Sequence, residues 1–150
     1  MKNIFNTDTC NEVIARINQL NNNSKAQWGK MDVAKMLAHC NVTYELIYDN
    51  IHTKPNAFAR FLLKLFVKNT VVNEKPYKHN SQTAPVFIIK SDKDFDTEKN
   101  RLINYILNVQ KEGESAFNGK ESNSFGPLTS NEWNNMMYKH LDHHLTQFGV

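Results

Sequence analysis

The chain has 150 residues, of which 40% are hydrophobic and 22% charged, and a net charge of +3. That length suits one domain with a core of its own, spanning residues 1–150, and the composition excludes a disordered tail, a collagen-like repeat and a coiled-coil rod. Five Gly and four Pro are too few for an all-β sandwich, the charge is too mild to suggest a nucleic-acid partner, and no apolar run is long enough to span a bilayer. Cys10 and Cys40 form no C-x-x-C pair, and no apolar signal region follows Met1. Both observations point to a reducing cytoplasm, with the two thiols as small buried hydrophobes. The 21 Asn are scattered and decide nothing about function.

The spacing predicts a first helix over 11–20, opened by a Thr9–Glu12 capping box, with Val13, Ile14, Ile17 and Leu20 on one face. Asp32 caps a second helix, with Met31 and Met36 as a hydrophobic staple. Its stripe runs through Val33, Met36, Leu37, Cys40, Tyr44, Ile47, Tyr48 and Ile51, with His39 beside it, and it fades near Asn50. Pro55 opens a shorter amphipathic segment with Phe58, Phe61, Leu62, Leu65 and Phe66 on one side and Arg60, Lys64 and Lys68 on the other. From 70 to 93 the pattern breaks, with 86–89 reading as extended chain. A connection of that length is often functional or a crossover.

A third long helix covers 95–111, with Phe95, Leu102, Ile106 and Val109 inward and Gly113 ending it. A loop rich in Gly, Ser and Asn fills 114–127. The last helix starts at a T-x-x-E capping box, Thr129 and Glu132, stapled by Leu128 and Trp133, and stops at Gly149. Four long helices, one short one and no convincing sheet predict an all-α helical bundle.

Three of six His crowd into the last helix: His140, His143 and His144. His140 and His144 are one turn apart, so their imidazoles share a face and can ligate one ion. The inward stripe is Trp133, Met137, His140, Leu141, His144 and Phe148, while His143 is turned ~100° from His144, towards solvent or a loop. A third ligand has to come from another helix. His39 is the only other His inside a strongly periodic helix, and it serves if the second and last helices are neighbours. Three protein nitrogens leave a position open for water or substrate. On spacing alone, histidines satisfied by backbone hydrogen bonds remain the simpler reading, and His143 remains an alternative ligand.

The segments GPLTSNEWNNMMYKHLDHHLTQFG (126–149), WGKMDVAKMLAHC (28–40) and SQTAPVF (81–87) resemble the DinB/YfiT-like superfamily. More narrowly, they are similar to a branch of it catalogued only as a domain of unknown function. The resemblance implies a four-helix bundle with a long crossover between its second and third helices. It also implies a metal ion, zinc or nickel, held by one His of the second helix and an H-x3-H pair of the fourth, here His39, His140 and His144. Some members of the superfamily are thiol-dependent transferases or isomerases that use bacillithiol, mycothiol or glutathione.

Two functions follow. One is a metal-dependent enzyme, an S-transferase or hydrolase acting on a small-molecule electrophile through a thiol or water. The other is a metal-free or vestigial bundle that binds a partner, for instance as a homodimer through an exposed helix face. No membrane partner is expected: the basic segment 55–68 could lie on an anionic membrane surface, but its shortness and its stripe favour covering the bundle mouth, with the apolar stripe facing a core and the cations solvated. Asp142 points away from the two flanking His and is a poor acceptor for their second ring nitrogens, Glu45 and Tyr48 are unranked for that role, and Trp28 and Trp133 are expected to serve packing and stapling.

Overall fold

The computed structural model describes residues 1–49 and 51–150, so the predicted fading of the second helix at Asn50 itself lies outside the described residues. The fold is mostly helical: α1 (Thr7–Gln19), α2 (Val33–Tyr48), α3 (Ala57–Phe66), α4 (Lys68–Val72), α5 (Phe95–Glu112), α6 (Glu114–Phe117) and α7 (Ser130–Gln147). A 3₁₀ turn lies at Pro85–Phe87, and β1 (Glu121–Ser122) pairs antiparallel with β2 (Gly126–Pro127). Both α1 and α2 pack on α5 and on α7. Buried apolar side chains from Ile4 to Phe148 form one continuous cluster between them.

The chain enters α1 a turn earlier than the spacing predicts. Ile4 and Phe5 are buried, and the Asn134 side chain of α7 accepts from Ile4 N at 2.7 Å while donating to Lys2 O at 3.1 Å. With the entry anchored on α7, Asn6 takes the cap position, Thr9 is buried within the first turn and Glu12 pairs with Lys2, so no capping box forms there. By contrast, Asp32 caps α2 by accepting from Lys35 N at 2.7 Å, and the Thr129–Glu132 capping box of α7 is present. Both are local interactions that need no tertiary partner.

Helix α2 is the most enclosed element, buried on every side from Val33 to Glu45 apart from Lys35. An all-round buried helix must satisfy its polar side chains internally. Asn41 donates to Glu98 O and Oε2 on α5, and Arg101 of α5 bridges Glu98 at 2.8 Å and Glu45 at 2.6 Å. Cys10 and Cys40 are buried free thiols, as expected, and burial pushes both up from their ordinary pKa.

Three expectations fail in the connections. The apolar face of α3 does not enter a core: among the described residues none of this helix is buried, and Phe58 and Phe66 are each 71% exposed. Only Leu63 of α3 packs against the core, because the neighbouring α4 takes the place against α7, where Asn135 and Lys139 capture its carbonyls. The 86–89 stretch is not extended throughout, since Pro85 starts a 3₁₀ turn that packs on α2. The 114–127 loop contains α6 and the small β hairpin, both organised by buried Phe117 and Phe125. Among the described residues no helix is long and apolar enough to cross a membrane.

Candidate metal centre

Contact between α2 and α7 brings His39 against His140 and His144, with one ring nitrogen of each within 4.8 Å of the others. His39 and His144 are buried and His140 is half-buried. The Nε2 atoms of His39 and His140 are 2.9 Å apart. His143 stays outside this group. It lies half-buried on the adjacent side of α7, edge-on to Trp28 and Tyr77 and near His79. His52 is also elsewhere, its Nε2 at 2.7 Å from Glu45.

Each of the three rings is held through Nδ1. His39 Nδ1–H donates to the Phe87 carbonyl at 2.8 Å. His144 Nδ1–H donates to Gln147 Oε1 at 2.8 Å. The orientation of that amide is set from the other end, because Gln147 Nε2 donates to the Trp28 carbonyl at 2.7 Å. His140 Nδ1 meets the Thr43 hydroxyl at 3.0 Å. A neutral imidazole with its proton on Nδ1 has its lone pair on Nε2, the form in which it binds a metal.

His140 has two ways of staying neutral in this setting. Its proton can sit on Nε2 and bridge to His39 Nε2, with the Thr43 hydroxyl donating to Nδ1. Alternatively the proton sits on Nδ1 and donates to Thr43, which frees Nε2 for a cation. A hydroxyl can serve both forms because it rotates; a carbonyl could serve only the second. Burial lowers all three pKa values, His140 well below the ordinary range and His144 to about 3, with the neighbouring rings opposing charge further on these two. The rings are therefore neutral near pH 7 without a metal, as ligands must be.

The Trp28–Gly29 pair explains one part of this frame. Gly29 has φ +83°, and a Cβ there would lie 2.5 Å from Gln147 Nε2. Only glycine lets the turn take that φ and lets the Gln147 amide reach the Trp28 carbonyl. Trp28 itself is not a core residue, contrary to expectation. It is half-buried and stacks on His79 with 3.8 Å between ring centroids, whereas Trp133 is buried as expected and donates to Lys120 O.

A small recess of about 130 Å³ beside His143 is lined by Trp28, Tyr77, His79 and Lys139, among others. Lys139 lowers its pKa to about 8 by burial, but its ammonium is committed to Thr70 O, Asn73 O and Asn73 Oδ1 and so ties α4 to α7. Asp142 pairs with Arg16 at 2.7 Å and turns away from the rings, as expected. Glu45 is bound to Arg101 and His52.

Three supports of the site escaped the sequence reading. Gln147 stands three residues after His144, a spacing at which helix neighbours meet, so it carried a readable signal, whereas Thr43 meets His140 across the α2–α7 seam. The Phe87 carbonyl had none, because it depends on where the crossover lands.

A family model matches residues 2–149, and its description is protein of unknown function, DUF1569. The chain belongs to the DUF1569 family. No curated protein and no solved structure matches it. Membership covers both helices that bear the triad as well as the crossover that supplies Phe87, while the family's description names no activity. What the three histidines can do chemically rests on their geometry: three neutral nitrogens converging on one point could hold a divalent metal ion.

Proposed function

We propose that the chain is a metal-dependent enzyme in which His39, His140 and His144 hold one divalent cation, zinc or nickel. It acts on a small electrophilic substrate, either as an S-transferase with a low-molecular-weight thiol or as a hydrolase with water. The observation that carries this reading is that the three Nδ1 atoms are each engaged, by Phe87 O, Thr43 Oγ1 and Gln147 Oε1, while the rings converge. Crowding makes each imidazole an unfavourable neighbour for the others' charged forms, which keeps all three neutral and able to ligate.

An ion held by three neutral nitrogens acts as a Lewis acid and brings the pKa of a water or thiol it binds towards neutrality. The chain's own contribution is orientation. Phe87 and Gln147 hold the tautomers of His39 and His144, and the Thr43 hydroxyl lets His140 change tautomer without leaving its place. Imidazole ligands suit zinc and nickel better than the hard cations that prefer oxygen.

The broader assignment, a DinB/YfiT-like four-helix bundle, is supported by the packing of α1 and α2 on both α5 and α7. The long crossover joining α2 to α5 supports it too. Two free buried thiols suit the cytoplasmic location we infer.

The deciding experiment is elemental analysis of untagged protein beside a variant carrying His39→Ala, His140→Ala and His144→Ala. We expect about one equivalent of metal in the first and none in the second, followed by turnover in a thiol-transfer or hydrolase screen that needs the metal. Equal metal content in the two proteins would overturn the assignment.

A further inference from the structure

Helix α3 is built against the usual rule. Phe58, Phe61, Leu65 and Phe66 are 71%, 61%, 61% and 71% exposed, and Leu62 is 37% exposed. At ~100° per residue these five positions cover an arc of about 140° on the side away from Leu63, the residue that packs on the core. Singly exposed apolar side chains need no explanation, but a contiguous face with three phenylalanines does.

Its charge is equally uneven. The stretch 51–73 contains Lys54, Arg60, Lys64 and Lys68 and no Asp or Glu, so the remainder of the chain carries one more acidic than basic residue. The chain's net positive charge therefore lies within this stretch of the sequence. Arg60 and Lys68 pair with Glu121 and Glu132, which clamp the segment to the body by its cationic side and leave the apolar face outward. Among the described residues no ion pair forms at Lys54 or Lys64.

We infer that α3 docks the protein on an anionic lipid surface, lying in the headgroup region with its Phe and Leu side chains buried and Lys54 and Lys64 against the lipid phosphates. A short helix with an aromatic apolar face and cationic flanks has the chemistry of an interfacial helix. The same charges argue against a second copy as the occupant. A symmetric contact through this face would bring the acid-free, basic segments of two molecules together, with no carboxylate in 51–73 to pair them. This docking does not depend on the metal assignment.

The test is co-sedimentation of the full chain with vesicles of phosphatidylcholine alone and of phosphatidylcholine with phosphatidylserine, at low and at molar salt. The wild type should sediment with the anionic vesicles at low salt and be released at high salt. Lys54→Gln with Lys64→Gln should weaken partitioning about fivefold per charge removed. Phe61→Glu with Leu65→Glu should abolish it while leaving the thermal melt unchanged, because both side chains already face water.

Three results would each overturn the inference: no binding to anionic vesicles at low salt, binding that survives the Phe61→Glu/Leu65→Glu change, or a solution dimer that the same change dissociates. The last would assign the face to a second copy of the chain.

Discussion

The α2–α7 seam and helix α3 both depart from the ordinary division of polar outside and apolar inside, in opposite directions. At the seam, titratable rings are drawn into the interior and every Nδ1 is given a partner; on α3, aromatic rings are left largely in water among the described residues. Each arrangement costs stability to the molecule on its own. Neutral imidazoles lose hydration when buried, and an apolar side chain left exposed forgoes roughly 1.5–3 kcal/mol that full burial would return. The seam offsets its cost with a built hydrogen-bond frame, which is what an internal ligand site needs in order to be preorganised. The α3 face has no such frame and needs none, because association through apolar area and charge is tolerant of geometry.

The comparison can be broken most sharply at His140. With zinc at a hundredfold excess over Kd, the wild type should gain about 2.7 kcal/mol of stability, and His140→Ala should gain almost none. Matching zinc-induced shifts in the melts of the two proteins would remove the triad from consideration.

A smaller effect tests the frame without touching a ligand. Gln147→Leu removes the acceptor of His144 Nδ1 and should weaken metal binding about 10–100-fold, measured by competition with a chromophoric chelator. Gly29→Ala should shift affinity in the same direction, because its new Cβ would displace the Gln147 amide. Unchanged affinity in both would mean that the Nδ1 contacts are incidental.

In the metal-free protein, acidity should weaken the seam. The triad pKa values are lowered in the fold, His144 to about 3 from an ordinary 6.5. Below pH 6.5 the unfolded chain therefore binds more protons than the native one. The triad's contribution is complete above pH 6.5 and is lost as the pH falls towards 3, at up to about 1.4 kcal/mol per pH unit for each ring that must stay neutral. Urea midpoints measured through this range should fall less steeply in His144→Leu.

The smallest effect belongs to α3. Phe58→Ser should leave chemical stability within about 0.5 kcal/mol of the wild type, since the side chain has little packing to lose. A loss of several kcal/mol would show that α3 is held by contacts its exposure does not suggest.

Much of the candidate site was legible because it is helical and local. H-x3-H puts His140 and His144 on one face by geometry alone, and Asp32 and the Thr129–Glu132 pair mark where the two histidine-bearing helices begin. The same reasoning misplaced the start of α1, where burial of Ile4 and Phe5 against α7 displaced a plausible capping box. It also sent the α3 stripe inward, because periodicity reports that a face is apolar and not what covers it.

The sequence by itself determined the long helices, the caps of α2 and α7, the two buried thiols and the pairing of His140 with His144, since these depend on neighbours within a few residues. Only the tertiary structure decided that His39 joins that pair and that His143 instead faces Trp28 and Tyr77. It also decided that Phe87 and Thr43 hold two of the rings and that α3 stays exposed. These features depend on how α2 meets α7 and where the long connection between α2 and α5 comes to rest. Both are set by packing over the whole core, which no local spacing encodes.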